Sequence, residues 1–297
     1  MSAVNQIRYR NFWPNFDKKD NFIARALANV TSNEKVEVWS VFQSVPKRIV
    51  LAMADRVGVR HLNLRGNKLR GIERKEQRKV WYTGENVRPP FSEEFDAFIS
   101  YDQDPMGGKN CYFPLFYVDL LIEHPEASTR LGIAHGDASS LTAPRDSTVV
   151  KRKGVCAFIS NPEPTRLRAI HELEKWIDVD VFGPYSGKRV DNKFSVAQDY
   201  KYMLCFENDL FPGYVTEKLL DAYLCRTVPL YWGDLGVEPH INRSSFVNAA
   251  DFESLEKFAA YVGGMSDEEY SAIFQQSLLL SLPKVDNLIQ ALTGLRA

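Results

Sequence analysis

No stretch of this 297-residue chain approaches the ~20 consecutive apolar residues that a membrane-spanning helix needs. The opening "MSAVNQIRYRNFWPNF" holds no apolar core of a secretory leader. The expectation is a cytoplasmic protein, or one peripheral at the inner membrane, with no transmembrane anchor. On that expectation the glycosylation-like triplets at Asn29 and Asn242 are silent. The net charge of −1 supplies no global field toward nucleic acid or acidic lipid, so no nucleic-acid partner is expected. Four cysteines, at 111, 156, 205 and 225, show no C-x-x-C spacing and read as reduced thiols. The five histidines are scattered, and H-E-x-x-H, G-x-S-x-G and a strand-borne G-x-G-x-x-G do not occur. Metalloprotease, hydrolase and dehydrogenase chemistry thereby lose their usual signatures.

What the sequence does have is an alternation of short apolar runs and helix-patterned segments, made twice. In the first half "NQIRYRNF", "VEVWSVF", "KVWYTG", "DAFISYD" and "YFPLFYVDLL" read as strands, with a helix over "NFIARALANV". Apolar density falls between about 122 and 152, which reads as a linker or mobile loop. The second half restarts with the strand "GVCAFISN" and the helix "PTRLRAIHELEKWI". "VDVFG", "KYMLCFEN", a helix over about 216–226 and "TVPLYWG" follow, and the tail reads as amphipathic helices. The expected architecture is α/β, with domains at 1–150 and 151–297 and parallel sheets built from right-handed crossovers. In such sheets ligands bind beyond the carboxyl ends of the strands. Four polar turns fall there: "SNPEP", "GPYSGKR", "ENDLFPGYVTEK" and "WGDLGVEP".

Two tempting motifs fail. "GPYSGKR" has three residues between its glycines rather than four, and Arg189 stands where a P-loop needs Ser or Thr. "DQD" at 102–104 matches a metal-holding Asp-x-Asp, but Asp104-Pro105 is equally a turn opening. No metal site is expected.

The stretch "YKYMLCFENDLFPGYVTEKLLDAYLCRTVPLYWGD" resembles the α1,3/1,4-fucosyltransferases of glycosyltransferase family ten. It carries Phe206-Glu207-Asn208, Tyr214-Val215-Thr216-Glu217-Lys218 and Val228-Pro229 in the family's order. "FISN" with Arg168, "SSFVNAADFESLEKFAAYV" and "VWYTGENVRPPFSEEFDAFISYD" extend the similarity over roughly 79–122 and 154–262; residues 1–78 match only loosely. The heptad repeats and basic tail of some bacterial members are absent.

The resemblance implies a GT-B arrangement of two facing Rossmann-like domains with C-terminal helices. It implies inverting transfer of fucose from GDP-β-L-fucose to a β-galactosyl-N-acetylglucosamine-type acceptor, forming an α1,3 or α1,4 linkage. Alternatives are another GDP-deoxysugar donor on the same fold, or a non-catalytic sugar-binding module. No cofactor is required on this reading, with Mn2+ or Mg2+ at most stimulatory. Glu85, at a strand end in "YTGEN", matches the family's proposed base, against the alternative of a turn carboxylate. Lys218 matches its donor-binding lysine; a cation in a helix's first turn fits the dipole poorly, which favours an anionic ligand. Glu217 suits ribose hydroxyls, and Tyr214 and Asn208 resemble donor-pocket residues. Thr216 is either a helix cap or a ligand contact, and Glu207 either touches the sugar or braces the loop. Lys188 or, for its bidentate geometry, Arg189 would grip the diphosphate. Arg168 faces the phosphate or forms a surface ion pair, and Asn161 braces a strand end or touches the nucleotide.

Overall fold

The structure is a computed structural model that describes residues 6–10, 21–27, 35–40, 77–84, 87–89, 93–121, 138–146, 153–234, 240–282 and 286–294. The chain divides into two compact units, Met1–Phe113 with Val285–Ala297, and Pro114–Lys284. The division falls at 113/114 rather than near 150, and the final segment belongs to the first unit rather than the second.

In the first unit, β1 (Gln6–Arg10), β2 (Lys35–Ser40), β3 (Gln77–Tyr82), β4 (Ala97–Ser100) and β5 (Asn110–Tyr112) pair in chain order, all parallel. Strands covered on both faces need apolar side chains at successive positions. Val36, Val38, Val80, Phe98 and Ile99 are accordingly buried. Helix α1 (Phe22–Ala26) starts where Asn21 Oδ1 accepts from the Ile23 and Ala24 N–H groups, both at 3.0 Å. It seats Phe22 5.0 Å from the Tyr82 ring.

The "YFPLFYVDLL" run is not one strand, as its composition suggested. It leaves β5 at Tyr112 and becomes helix α2 (Leu115–Leu121) of the second unit. Pro114 has no N–H to offer a ladder. Its carbonyl instead opens the helix, accepting from Tyr117 and Val118 at 2.9 and 3.3 Å.

The second unit holds β6 (Lys153–Phe158), β7 (Val179–Phe182), β8 (Tyr200–Phe206), β9 (Val228–Trp232) and β10 (Val247–Asn248). Their order across the sheet is β7-β6-β8-β9-β10, all parallel. Helices α3 (Pro164–Leu173), α4 (Lys193–Ala197), α5 (Lys218–Leu224), α6 (Leu255–Gly264) and α7 (Asp267–Phe274) connect and cover these strands. One core joins Val155, Ala157, Leu204, Phe206 and Leu230 of the strands to Ile170 and Leu173 of α3 and Phe258 of α6. The chain leaves β6 for one neighbour, β7, and returns past it to β8 on the other side. Strand order therefore reverses between β6 and β8, the place where open α/β sheets leave a crevice for ligands.

Within the stretch read as a linker, residues 138–146 are held against this unit. Arg145 donates to the Phe274, Thr227 and Tyr223 carbonyls at 2.6, 3.1 and 3.4 Å. The last helix, α8 (Asp286–Thr293), packs on β3, β4 and β5 of the first unit. There Arg78 Nε donates to Ala291 O at 2.8 Å.

Candidate functional site

The carboxyl ends of β6 and β8 are bridged by one side chain, Arg166. Its Nη1 donates to Asn161 O at 2.7 Å, and its Nη2 to Phe206 O at 2.5 Å and Asn208 Oδ1 at 3.0 Å. The arginine lies in the first turn of α3, which Glu163 caps by accepting from the Arg166 N–H at 3.0 Å. Burial lowers the guanidinium from its usual value, with Glu163 and Glu207 acting in the opposite sense. The two strand ends of the reversal are thereby fixed relative to each other.

Beyond Phe206 the chain buries a carboxylate. Glu207 has no exposed surface and accepts from the Thr216 N–H at 2.8 Å, the Thr216 hydroxyl at 3.0 and 2.8 Å, and Lys218 Nζ at 2.9 Å. Lys218 Nζ also reaches Thr216 Oγ1 at 2.8 Å and lies 3.7 Å from Glu217 Oε1. Burying an ion costs several kcal/mol unless partners replace water, and each oxygen of Glu207 has such a partner. The turn between them needs Gly213 at φ +82°. On the other side Gly233 leaves the room: a Cβ there would stand 2.8 Å from Glu207 Cγ and 2.1 Å from the Tyr231 hydroxyl.

Lys218 and Glu217 keep part of their surface, 22% and 35% of the side chain. Burial acts to lower the Lys218 ammonium, but Glu207 and Glu217 outweigh it and hold it above the usual lysine value. Burial pushes the Glu217 carboxyl up, and Lys218 and Lys193 more than offset this, so it lies below the usual value. Burial pushes the Glu207 carboxyl up, and Lys218 offsets only part of the rise. Lys193, at the start of α4, pairs with Asp221 of α5, which lies one turn beyond Glu217. The corner therefore presents a cation and an ionised carboxylate side by side on a braced support.

The structure brings Asn208, Tyr214, Thr216, Glu217 and Lys218 together with Glu207. Thr216 is not the cap that its sequence position suggested. The cap of α5 is Glu217, and the Thr216 hydroxyl is spent on Glu207 and Lys218. Glu207 is in the brace position, since a ligand cannot reach a carboxylate without exposed surface. Tyr214 is buried, with its N–H on Phe211 O at 2.9 Å. Asn161 is exposed and contributes its backbone carbonyl. Lys188 and Arg189 are exposed on the turn after β7.

Arg168 is not in this cluster; it is exposed, and Arg166 reaches the strand ends instead. The signal for Arg166 was in the sequence: it shares a helical face with Ala169, Ile170 and Leu173, all buried, whereas position 168 points elsewhere. Glu85 lies outside the described residues. At the end of β4, Asp102 accepts from Arg88 and from the Asp104 N–H at 3.0 Å. Asp104 accepts from the Met106 N–H at 2.8 Å. The "DQD" carboxylates thus build a turn. Among the described residues no three His, Cys, Asp or Glu side chains group as a metal site, and no helix is long and apolar enough to cross a membrane.

Comparison with known proteins gives this geometry its context. Residues 148–276 match the model of the C-terminal domain of glycosyltransferase family 10 (fucosyltransferase). The alpha-(1,3)-fucosyltransferase FucT of Helicobacter pylori is 31% identical over 210 residues, 62% of this chain and 43% of that protein. The mouse 4-galactosyl-N-acetylglucosaminide 3-alpha-L-fucosyltransferase 9 is 35% identical over 118 residues, 38% of this chain and 33% of that protein. The chain thus spans less than half the length of these curated relatives. An α1,3-fucosyltransferase crystallised with GDP-fucose has a similar fold, with a TM-score of 0.67 at 22% identity over 96% of this chain and 88% of that one. A second crystal structure of an α1,3-fucosyltransferase gives 0.66 at 23% identity, over 98% of this chain and 92% of that one. The fold is of the GT-B type, with its two parallel-sheet α/β units. Residues 148–276 are thus similar to the C-terminal domain of glycosyltransferase family 10, the fucosyltransferases, and the relatives extend that similarity to 210 residues of this chain.

Proposed function

We propose that the protein transfers L-fucose from GDP-β-L-fucose to a hydroxyl of a β-galactosyl-N-acetylglucosamine-type acceptor, forming an α1,3 or α1,4 linkage with inversion. The observation that carries this reading is the braced pair at the end of β8. Lys218 and Glu217 are partly exposed and charged, and they stand on the buried Glu207–Thr216 corner. The pair lies beside the strand reversal where nucleotides bind in such sheets. A fixed ammonium favours the developing charge of a departing diphosphate, and a carboxylate beside it accepts hydrogen bonds from ribose hydroxyls. The names of the relatives support the fucosyl group and, of the two linkages, the α1,3 one.

In this reading Glu85 is the general base that takes the acceptor's proton, and the fucosyl group moves in one step without a covalent intermediate. Lys188 or Arg189 grips the diphosphate, and Tyr214 and Asn208 wall the donor pocket. Catalysis needs no metal, so a chelator leaves transfer in place. The protein acts in the cytoplasm, which fractionation of cells tests.

The decisive experiment is a turnover panel: GDP-fucose and other GDP-sugars against type 1 and type 2 disaccharides, with product linkage read by NMR. GDP release with GDP-fucose and an α-linked product is expected. A β-linked product overturns inversion, and no GDP release with any acceptor overturns the transferase reading. A Glu85→Gln variant should keep GDP binding and lose about 10²–10⁴-fold in turnover. Unchanged transfer by that variant removes Glu85 from the base role.

A further inference from the structure

The turn "GPYSGKR" after β7 is built as a rigid platform, although it is no P-loop. Gly183 N–H donates to Lys188 O at 2.8 Å, Ser186 Oγ to Gly183 O at 3.3 Å, and the Lys188 N–H to Ser186 Oγ at 3.3 Å. The platform is also tied to β6, since the Tyr185 N–H donates to Ile159 O at 3.1 Å. Gly183, at φ +103°, lies so close to that carbonyl that a Cβ would be 2.7 Å from it. Out of this closed turn stands the Tyr185 ring, 51% exposed. Among the described residues no ring contact or side-chain hydrogen bond holds it. Lys188 and Arg189 come next along the chain, both exposed.

We propose that Tyr185 is the stacking face for the purine base of the nucleotide donor, an assignment that rests on the donor reading above. The placement supplies the argument. Tyr185 is one hydrogen bond from Ile159, the residue that follows β6, and two residues further the chain reaches the Asn161 carbonyl that Arg166 joins to β8. The ends of β7 and β8 are two strand spacings apart, roughly 10 Å at ~4.8 Å per spacing. A nucleoside diphosphate with its base on Tyr185 is long enough for its phosphates to reach across that span to the end of β8, where Lys218 stands. Lys188 and Arg189 lie on the same turn as Tyr185. An aromatic ring gives a base a flat apolar partner without ordering a long side chain, and stacking of this kind tolerates any base. The platform therefore contributes affinity for a nucleoside part, and discrimination between bases must come from elsewhere.

The test compares GDP with inorganic pyrophosphate as probes, titrated calorimetrically into the wild-type chain and the Tyr185→Ala and Tyr185→Phe variants. Tyr185 is exposed, so the alanine variant should keep the wild-type melting temperature. Its GDP dissociation constant should rise roughly tenfold or more, within the range of ~1–3 kcal/mol per stacked base. Its pyrophosphate affinity should not change, and the phenylalanine variant should bind GDP as the wild type does. Unchanged GDP affinity in the alanine variant overturns the proposal. Equal losses for GDP and pyrophosphate also overturn it, because the ring would then serve the phosphate turn. Absence of GDP binding by the wild-type chain is a different failure: it removes the donor reading itself, and the proposal with it.

Discussion

The two sheets each pair five parallel strands, and they differ in one connection. In the first unit the strands lie in chain order, and no reversal arises among them. In the second unit the chain steps back from β7 across β6 to β8, and that single return creates a reversal. The polar groups at the strand ends divide in the same way. At the end of β4 the Asp102 carboxylate meets Arg88, whose side chain is 54% exposed. At the end of β8 Glu207 meets Lys218 with no surface of its own. One corner ties a nearly buried carboxylate to a largely exposed arginine. The other is a buried charge whose partner remains partly accessible, which is the arrangement a bound anion exploits.

The comparison is most sharply tested by Lys218→Met. Removing one partner of a buried pair leaves the other uncompensated, and the expected loss is about 3 kcal/mol of unfolding free energy, near the lower end for such pairs because the Thr216 N–H and hydroxyl still serve Glu207. Urea unfolding at neutral pH measures it, and GDP binding should fall in parallel. A second reading comes from pH. Lys218 is held above the ordinary lysine value of 10.5. Its share of stability is therefore complete below that value and lost as pH rises through the folded-state one. The melting temperature of the variant should fall less than the wild type's over that alkaline interval. A variant as stable as wild type, with the same alkaline slope, would make the two strand ends equivalent.

Next in size is the strap that holds residues 138–146 to the second unit. The Arg145 guanidinium lies between two rings, 4.1 Å from the Tyr223 centroid and 4.2 Å from that of Phe274, and serves three carbonyls. Burial, as the largest cause, lowers it to about 10. Two of its carbonyls, of Tyr223 and Phe274, belong to the last turns of α5 and α7; that of Tyr223 also accepts from the Arg226 N–H at 2.9 Å. Arg145→Met keeps the apolar stem and strips the donors, and the expected cost is about 2–3 kcal/mol on the scale of unsatisfied buried groups. Limited proteolysis between 138 and 146 should accelerate with it.

Much of this was legible in the sequence, and the rest was hidden for definite reasons. The order of strands and helices in the second half emerged from apolar periodicity, and the corner from "FEN" and "TEK". The choice between Arg166 and Arg168 was a choice of helix face, decidable from the spacing to Ala169, Ile170 and Leu173. The role of Thr216 was not decidable. Its hydroxyl has two local uses, and only the position of the Glu207 carboxylate nine residues earlier selects one. "YFPLFYVDLL" misled because buried strands and buried helices share composition, and Pro114 marks the break without specifying the helix beyond it. The destination of α8 was equally hidden, since an amphipathic stripe shows that a helix packs and not which sheet receives it.

That last helix supplies the smallest expected effect and the closest counterpart to Arg145. In the first unit Arg78 of β3 holds the end of α8 through a bond to Ala291 O, where Arg145 serves three carbonyls. Gly294, at φ +73°, closes the helix with its N–H on Gln290 O at 2.7 Å, and a Cβ there would stand 3.1 Å from an Arg78 nitrogen. The helix end is thus already partly satisfied by its own backbone, so Arg78→Met should cost only about 1 kcal/mol, the net value of one hydrogen bond. The informative readout is local: amide exchange within 286–293 should rise while that of β8 and β9 stays unchanged. Equal acceleration in both sets of amides would mean that the two units unfold as one, and that their difference in strand order is not a difference in cooperative structure.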